Sequence, residues 1–466
     1  MAKDAKTLEK KPYQLFNLPW YYFAIFAVVV LAATYLGVLP TGMAGCFAFM
    51  IVLGTILNEI GDHTPIIRSY LGGGAIVVIF GSALLDYFGL LPHLVKTLED
   101  GTKVYANFVK ADVVGNIGTF FKPTGAFLDF YIAALITGSI LGMNRKLLVK
   151  AAARYFPAIF GGLILSFALC CLVGAVTGYG WAKALLLIAL PIMGGGMGAG
   201  ATPLSKIFDS TGAMTAEEAL SVMTPAVAIG NAISIVIAGI VVKAISSKKW
   251  NGQGQLMQAG SIDPAELEIS PEMQAKRDKI DVTNLGIGLF VSCSFFAWGY
   301  IVAKGWSKLV PSVTIHAYAW MIITVAICKI TQIIPERIEV ACYQWFQFIM
   351  KNLTPTLLVG IGLCYLDIGK VIESFTIQYL VMCLVTCLGA FFGAAIVGKF
   401  VGFYPVESGL TAGLCMSNMG GTGDVAVLSA ANRMELMPFA QISSRLGGAI
   451  ILLLGSVMLS TMAQLL

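Results

Sequence analysis

Eleven separate stretches of this chain are apolar over about 17 residues or more, near 20–39, 41–58, 71–90, 126–143, 156–178, 219–246, 283–304, 314–334, 352–368, 379–402 and 438–464. A helix needs about 20 such residues to cross the hydrocarbon core of a bilayer, so the pattern specifies an all-α polytopic membrane protein with eleven transmembrane helices. Charged residues make up 12% of the 466 positions. Soluble domains carry roughly twice that share, and a soluble fold is excluded.

The net charge of +5 does not point to nucleic acid, because the basic residues form short clusters beside the spans and no basic face or arm. They report topology instead. Lys3, Lys6, Lys10 and Lys11 precede the first span, Arg145, Lys146, Lys150 and Arg154 follow the fourth, and Lys248 and Lys249 follow the sixth. All fall on one side if the N-terminus is cytoplasmic and the C-terminus outside. Lys96, Lys103, Lys110 and Lys122 in the 91–125 connection are discordant, and longer segments obey the rule less strictly. The first span is too long for a signal-peptide core and is expected to be retained. The ten cysteines lie within or beside apolar segments, without zinc spacing, and read as small buried side chains. His63, His93 and His316 are dispersed and form no metal set.

A polar stretch at 247–282 divides the chain into two hydrophobic halves and reads as a solvated cytoplasmic linker. Residues 1–40 hold the N-terminus and an extra first helix, 41–246 a first repeat, and 283–466 a second. Each repeat carries one apolar segment broken by glycine too often to cross as a regular helix, at 183–205 and 406–429. The first contains GGGMGAGATPLS from Gly194, the second MGGTGDVAVLS from Met419. Overlaid, Gly195, Gly196, Gly198, Ala201, Leu204 and Ser205 match Gly420, Gly421, Gly423, Ala426, Leu428 and Ser429, with a one-residue gap around Pro203. Five crossings and one re-entrant hairpin per half make the repeats inverted.

Inside hydrocarbon, irregular backbone survives only where protein buries it or where it lines a cavity. One glycine segment alone fits close helix packing of the GxxxG kind. Two at matching places in inverted halves are better explained as halves of a binding site, with helix N-termini facing an anion and carbonyls holding a cation. Arg445, inside the last span beside Gln441, Ser443 and Ser444, is expected to face a cavity, where its planar fork of donors suits a carboxylate. The substrate is then an organic anion. Asn418, Thr422 and Asp424 surround the second glycine turn, and Asn231 stands in the first half near the place corresponding to Ser444. Such oxygens suit a hard monovalent cation. Asp424 has two readings, cation ligand or cap of the following helix. No Walker-type motif, catalytic nucleophile or cofactor motif is present, which argues against an ATP-driven pump and against an enzyme.

The paired GGxG turns, the run CMSNMGGTGD from Cys415 to Asp424 and NRMELMPFAQISSRLGG from Asn432 to Gly448 resemble the 2-hydroxycarboxylate transporter family, the bacterial carriers of citrate, malate and lactate. The resemblance covers nearly the whole chain. It implies two inverted five-helix repeats plus one extra helix, a homodimer in the bacterial inner membrane, and an elevator motion of the domain bearing both re-entrant loops. It also implies that Arg445 binds a substrate carboxylate; the glycine turns are expected to place Gly195, Gly196, Met197, Gly198, Met419, Gly420, Gly421 and Thr422 around the substrate. Oxygens of Cys415, Met416, Asn418 and Ser444 are implied as sodium ligands, with Asn231 and Asp424 beside them. The citrate-carrying pattern has an arginine where Met419 stands and an asparagine where Met197 stands. Loss of a second guanidinium favours malate or another small 2-hydroxycarboxylate, with citrate kept open. The expected activity is sodium-coupled symport, with sodium the coupling ion and no other cofactor. Proton-coupled symport and exchange of two carboxylates (malate or citrate against lactate) use the same scaffold. Rivals of another class are an anion channel and a membrane subunit of a sodium-pumping decarboxylase.

Overall fold

The expected spans fold as helices because their polar backbone can be satisfied only within the segment. A computed structural model of the protein describes residues 12–65, 67, 74–97, 103–121, 126–143, 145, 152–245, 249–258, 270–310 and 315–466, excepting the side chains at 152–154, 199, 370, 374, 421, 422, 435, 438, 441, 445 and 446. Among the described residues seven helices are long and apolar enough to cross a bilayer: Met43–His63, Tyr155–Val176, Ala216–Ala244, Val282–Leu309, Glu336–Tyr365, Ile377–Phe400 and Ile442–Leu465. The other four expected spans fall on shorter apolar helices, Trp20–Tyr35, Gly74–Tyr87, Phe127–Leu141 and Ala317–Thr331. At 1.5 Å per residue, the 14 residues of Gly74–Tyr87 extend about 21 Å, less than the ~30 Å hydrocarbon core.

Two places differ from the hydropathy reading. The ninth expected span, 352–368, is the end of a 30-residue helix beginning at Glu336. Within its polar first half, Gln344 and Glu339 are paired. Gln344, 3% exposed, donates to the carbonyls of Lys276, Arg277 and Lys279, and Lys329 pairs with Glu339 at 2.6 Å. In the 91–125 connection the described residues include two antiparallel strands, Leu94–Thr97 and Lys103–Tyr105, and a helix Val113–Phe121. Asp112 starts that helix by accepting from Gly115 N, while Phe120 and Phe121 pack on Phe127.

The helices pack as two bundles. One joins Met43–His63, Gly74–Tyr87 and Phe127–Leu141 with Val282–Leu309, Ala317–Thr331 and Glu336–Tyr365, three from each half of the chain. The other joins Ala152–Val176 and Ala216–Ala244 with Ile377–Phe400 and Met437–Met462, two from each half, around the two glycine segments. Small residues bring Ala152–Val176 and Ile377–Phe400 together. A Cβ on Gly393 would lie 2.1 Å from the Gly161 carbonyl oxygen, and one on Gly389 2.6 Å from Ser166 Cα. Small-residue helix packing therefore does occur here, and Gly413 of the second broken segment joins it, with its Cβ position 2.4 Å from the Ala390 carbonyl oxygen.

Candidate functional site

Both broken segments begin as helices loosened by a π turn. Trp181–Ala184 passes through Leu185–Ala189 into Leu190–Ile192, and Pro405–Ser408 passes through Gly409–Leu414. The chain then turns on glycine. Gly195 and Gly196 hold φ at +73° and +106°, and Gly420 at +76°, values that an L side chain resists. A second helical limb starts at Met197 and continues through Thr202–Thr211, and another spans Gly421–Ala430. The residues before each of these limbs, Gly196 and Gly420, share one conformation. The structural register thus sets Gly196 against Gly420, Leu204 against Leu428 and Ser205 against Ser429. It corrects the overlay by one residue at the glycines and removes the gap at Pro203, because the helix restart and not glycine identity defines equivalence.

The two turns meet. A Cβ on Gly196 would lie 2.7 Å from the Met419 carbonyl oxygen, and one on Gly420 3.0 Å from that of Gly195. Each turn also touches the long helix that follows the other. A Cβ on Gly195 would lie 2.6 Å from the Ser444 carbonyl oxygen, and Met419 N donates to Asn231 Oδ1 at 3.1 Å. Two helix N-termini, at Met197 and Gly421, therefore lie at the junction without a side-chain cap from Gly196 or Gly420. Such ends carry partial positive charge and backbone donors suited to an anion.

Beside the junction lies a buried set of oxygens. Asn418 Nδ2 donates to Asp424 Oδ1 at 2.9 Å, and Asn418 Oδ1 accepts from Gly420 N at 2.8 Å. Ser444 Oγ lies 2.6 Å from Asp424 Oδ2 and 3.1 Å from the Cys415 carbonyl oxygen. Asp424, Asn418, Cys415, Met416 and Asn231 are all 0% exposed. Gly420 is the N-cap of Gly421–Ala430, and the Asp424 carboxylate bonds the side chains of Asn418 and Ser444.

Met197 is buried, Met419 partly so, and Gly198 faces Leu135 and Tyr131 of the other bundle. Arg445 follows Ser444 on the helix Met437–Met462, but its side chain lies outside the described residues, as does that of Thr422. Ser234 and Ser417, which the sequence reading passed over, pair at 2.9 Å, and Tyr155 bonds Ser443 at 2.8 Å. Ser234 could have been found, since it lies three residues after Asn231 on one helix face. Tyr155 gives no such signal, because its partner is far away in sequence.

Comparison with known proteins fits this architecture. The model of the 2-hydroxycarboxylate transporter family matches residues 15–457. The chain belongs to the 2-hydroxycarboxylate transporter family. It is 37% identical to the malate transporter MleP of Lactococcus lactis, over 97% of this chain and 99% of that one. It is 35% identical to the citrate/sodium symporter of Salmonella typhimurium, over 97% and 95%, and 35% identical to the citrate transporter CitP of Leuconostoc mesenteroides, over 94% and 92%. Membership makes the chain a membrane transporter of 2-hydroxycarboxylates and not an enzyme.

Proposed function

We propose that this family member is a sodium-coupled symporter that favours malate over citrate and works by an elevator motion. The meeting of the two glycine turns beside the Asp424, Asn418, Ser444 and Cys415 oxygens carries the reading. Oxygens of this kind hold a small hard cation, and two N-termini with backbone donors accept a carboxylate. The cation orders the turn from Cys415 to Asp424 and adds positive charge. The anion then binds on the turn N–H groups and Arg445, with Met197, Gly198, Met419, Gly420, Gly421 and Thr422 around it. The neutralised site moves with its bundle through the low-dielectric barrier.

The elevator reading draws on the division into two bundles, one of which holds both glycine segments. The hairpins are read as re-entrant, with eleven crossings, the N-terminus cytoplasmic, the C-terminus outside and the chain a homodimer in the bacterial inner membrane. Sodium coupling draws support from the citrate/sodium symporter, and malate from MleP. Methionine at positions 197 and 419 leaves one guanidinium, enough for a small diacid.

Uptake of malate, citrate and lactate into proteoliposomes under an imposed sodium gradient tests the assignment. Malate uptake driven by sodium and abolished by Arg445→Ala is expected. Uptake driven by a proton gradient or by internal lactate alone refutes sodium coupling. Unchanged malate affinity in Arg445→Ala refutes the carboxylate anchor.

A further inference from the structure

The first part of the polar stretch between the two halves is folded against the second glycine segment. Tyr404 N donates to the Leu256 carbonyl at 2.9 Å, Val406 N to that of Trp250 at 3.0 Å, and Gln258 N to that of Gly402 at 3.0 Å. Met257 and Phe403 form an antiparallel bridge, and Lys399 Nζ lies 4.3 Å over the Trp250 ring. Tyr404 and Val406 stand at the start of the first limb, where a helix leaves its N–H groups without internal partners. Linker carbonyls fill that need.

Glu407, 0% exposed, is the centre of this contact. Its carboxylate accepts from Gly252 N at 2.8 Å and Gly254 N at 3.3 Å. Arg433 Nε stands 3.6 Å from Glu407 Oε1, an ion-pair separation, while Arg433 Nη2 donates to Asn251 Oδ1 at 3.1 Å. Glu407 lies at the foot of the first limb and Arg433 just beyond the end of the second. One buried carboxylate thus ties together both feet of the hairpin and the linker. Parting the feet would separate that carboxylate from its cation, which surroundings of low dielectric penalise heavily.

We propose that residues 249–258 form a strap that, through Glu407 and Arg433, keeps the two limbs of the second glycine segment closed throughout transport. Glu407 and Arg433 are positioning residues: they lie away from the turn and set the shape of its Cys415–Asp424 oxygens through the limbs. The idea rests on the transport reading and goes beyond it, since it removes this hairpin as a moving gate.

A Met257→Cys/Phe403→Cys pair places two thiols across the bridge, with disulfide formation followed by mass spectrometry. Counterflow of labelled malate in proteoliposomes is measured in reduced, oxidised and re-reduced protein. The oxidised form is expected to exchange as fast as the reduced form. Loss on oxidation with recovery on reduction overturns the strap, because release is then required. A second arm covers a pair that is inactive even when reduced. Glu407→Gln is expected to raise the sodium concentration for half-maximal uptake about tenfold or more, leaving the malate-to-citrate ratio unchanged, with recovery in Glu407→Asp. A lower maximal rate at unaltered sodium dependence overturns the positioning role. Sodium-independent uptake by the native protein defeats the coupling assignment, and counterflow in the disulfide pair still decides the strap.

Discussion

Replacing Gly196 by alanine tests the contact on which the site depends. Gly196 has φ +106° and ψ −174°, a region populated almost solely by glycine, and forcing another residue there costs about 1–3 kcal/mol. The new Cβ also meets backbone only, 2.7 Å from the Met419 oxygen, 2.8 Å from its carbonyl carbon and 3.1 Å from its Cα. None of these can rotate aside, so the turns must separate by about half an ångström, the tolerance within which a binding constellation works. Strain alone corresponds to a roughly five- to 150-fold loss of the correctly formed junction, at about 1.4 kcal/mol per tenfold. Initial rates of malate uptake in proteoliposomes, paired with thermal melting of the purified protein, read the two effects. Uptake is expected to fall by that factor while the protein stays folded. Gly198→Ala is the control, because its Cβ meets only Leu135 and Tyr131 side-chain atoms at 3.9 Å. It should melt like the native protein and alter only malate affinity. Native uptake by Gly196→Ala would refute the meeting of the turns as the basis of the site.

Three further outcomes are expected. Ser444→Ala removes an oxygen that lies 2.6 Å from the Asp424 carboxylate and 3.1 Å from the Cys415 carbonyl and orients both, so half-maximal sodium concentration should rise roughly ten- to 100-fold. An unchanged sodium titration excludes Ser444 from the cation site. Met419→Arg should improve citrate relative to malate in competition uptake, since Met419 stands at the junction and a second guanidinium can hold another carboxylate; an unaltered preference removes the argument for the smaller acid. Outside the spans, the hydrogen bond that His93 Nδ1 donates to the Asp86 carboxylate raises the His93 pKa, opposed by burial and helped by the charges of Asp86 and Asp112. The stabilisation is therefore complete below the ordinary histidine pKa and fades as pH rises through the raised one. Melting temperatures should show His93→Gln further below the native protein at about pH 6 than at about pH 8.5, and an equal gap at both contradicts the pairing.

Hydropathy located a helix at each expected span, because burying backbone in lipid permits little else. It placed a span at 352–368 but not the helix before it back to Glu336, where Gln344 and Glu339 find partners on Lys276–Lys279 and Lys329. It also passed over Val113–Phe121, whose phenylalanines join a core made by residues remote in the chain. The glycine segments were legible as a pair, since repeated glycine marks backbone that L side chains resist. Their register was not, because sequence overlays glycines while the helix restart at Met197 and Gly421 sets the true equivalence.

Residue types alone therefore determined that the chain lives in lipid and carries two apolar helices broken at glycine. Tertiary structure decided the rest. It brought Gly196 to Met419, Asn231 to the opposite turn, Asp424 to Ser444, and a linker that reads as solvated onto Glu407. Each of these contacts joins residues that lie in different elements. Local pattern encodes the conformation of a segment, whereas which carbonyl or carboxylate a turn finally meets depends on how whole helices pack.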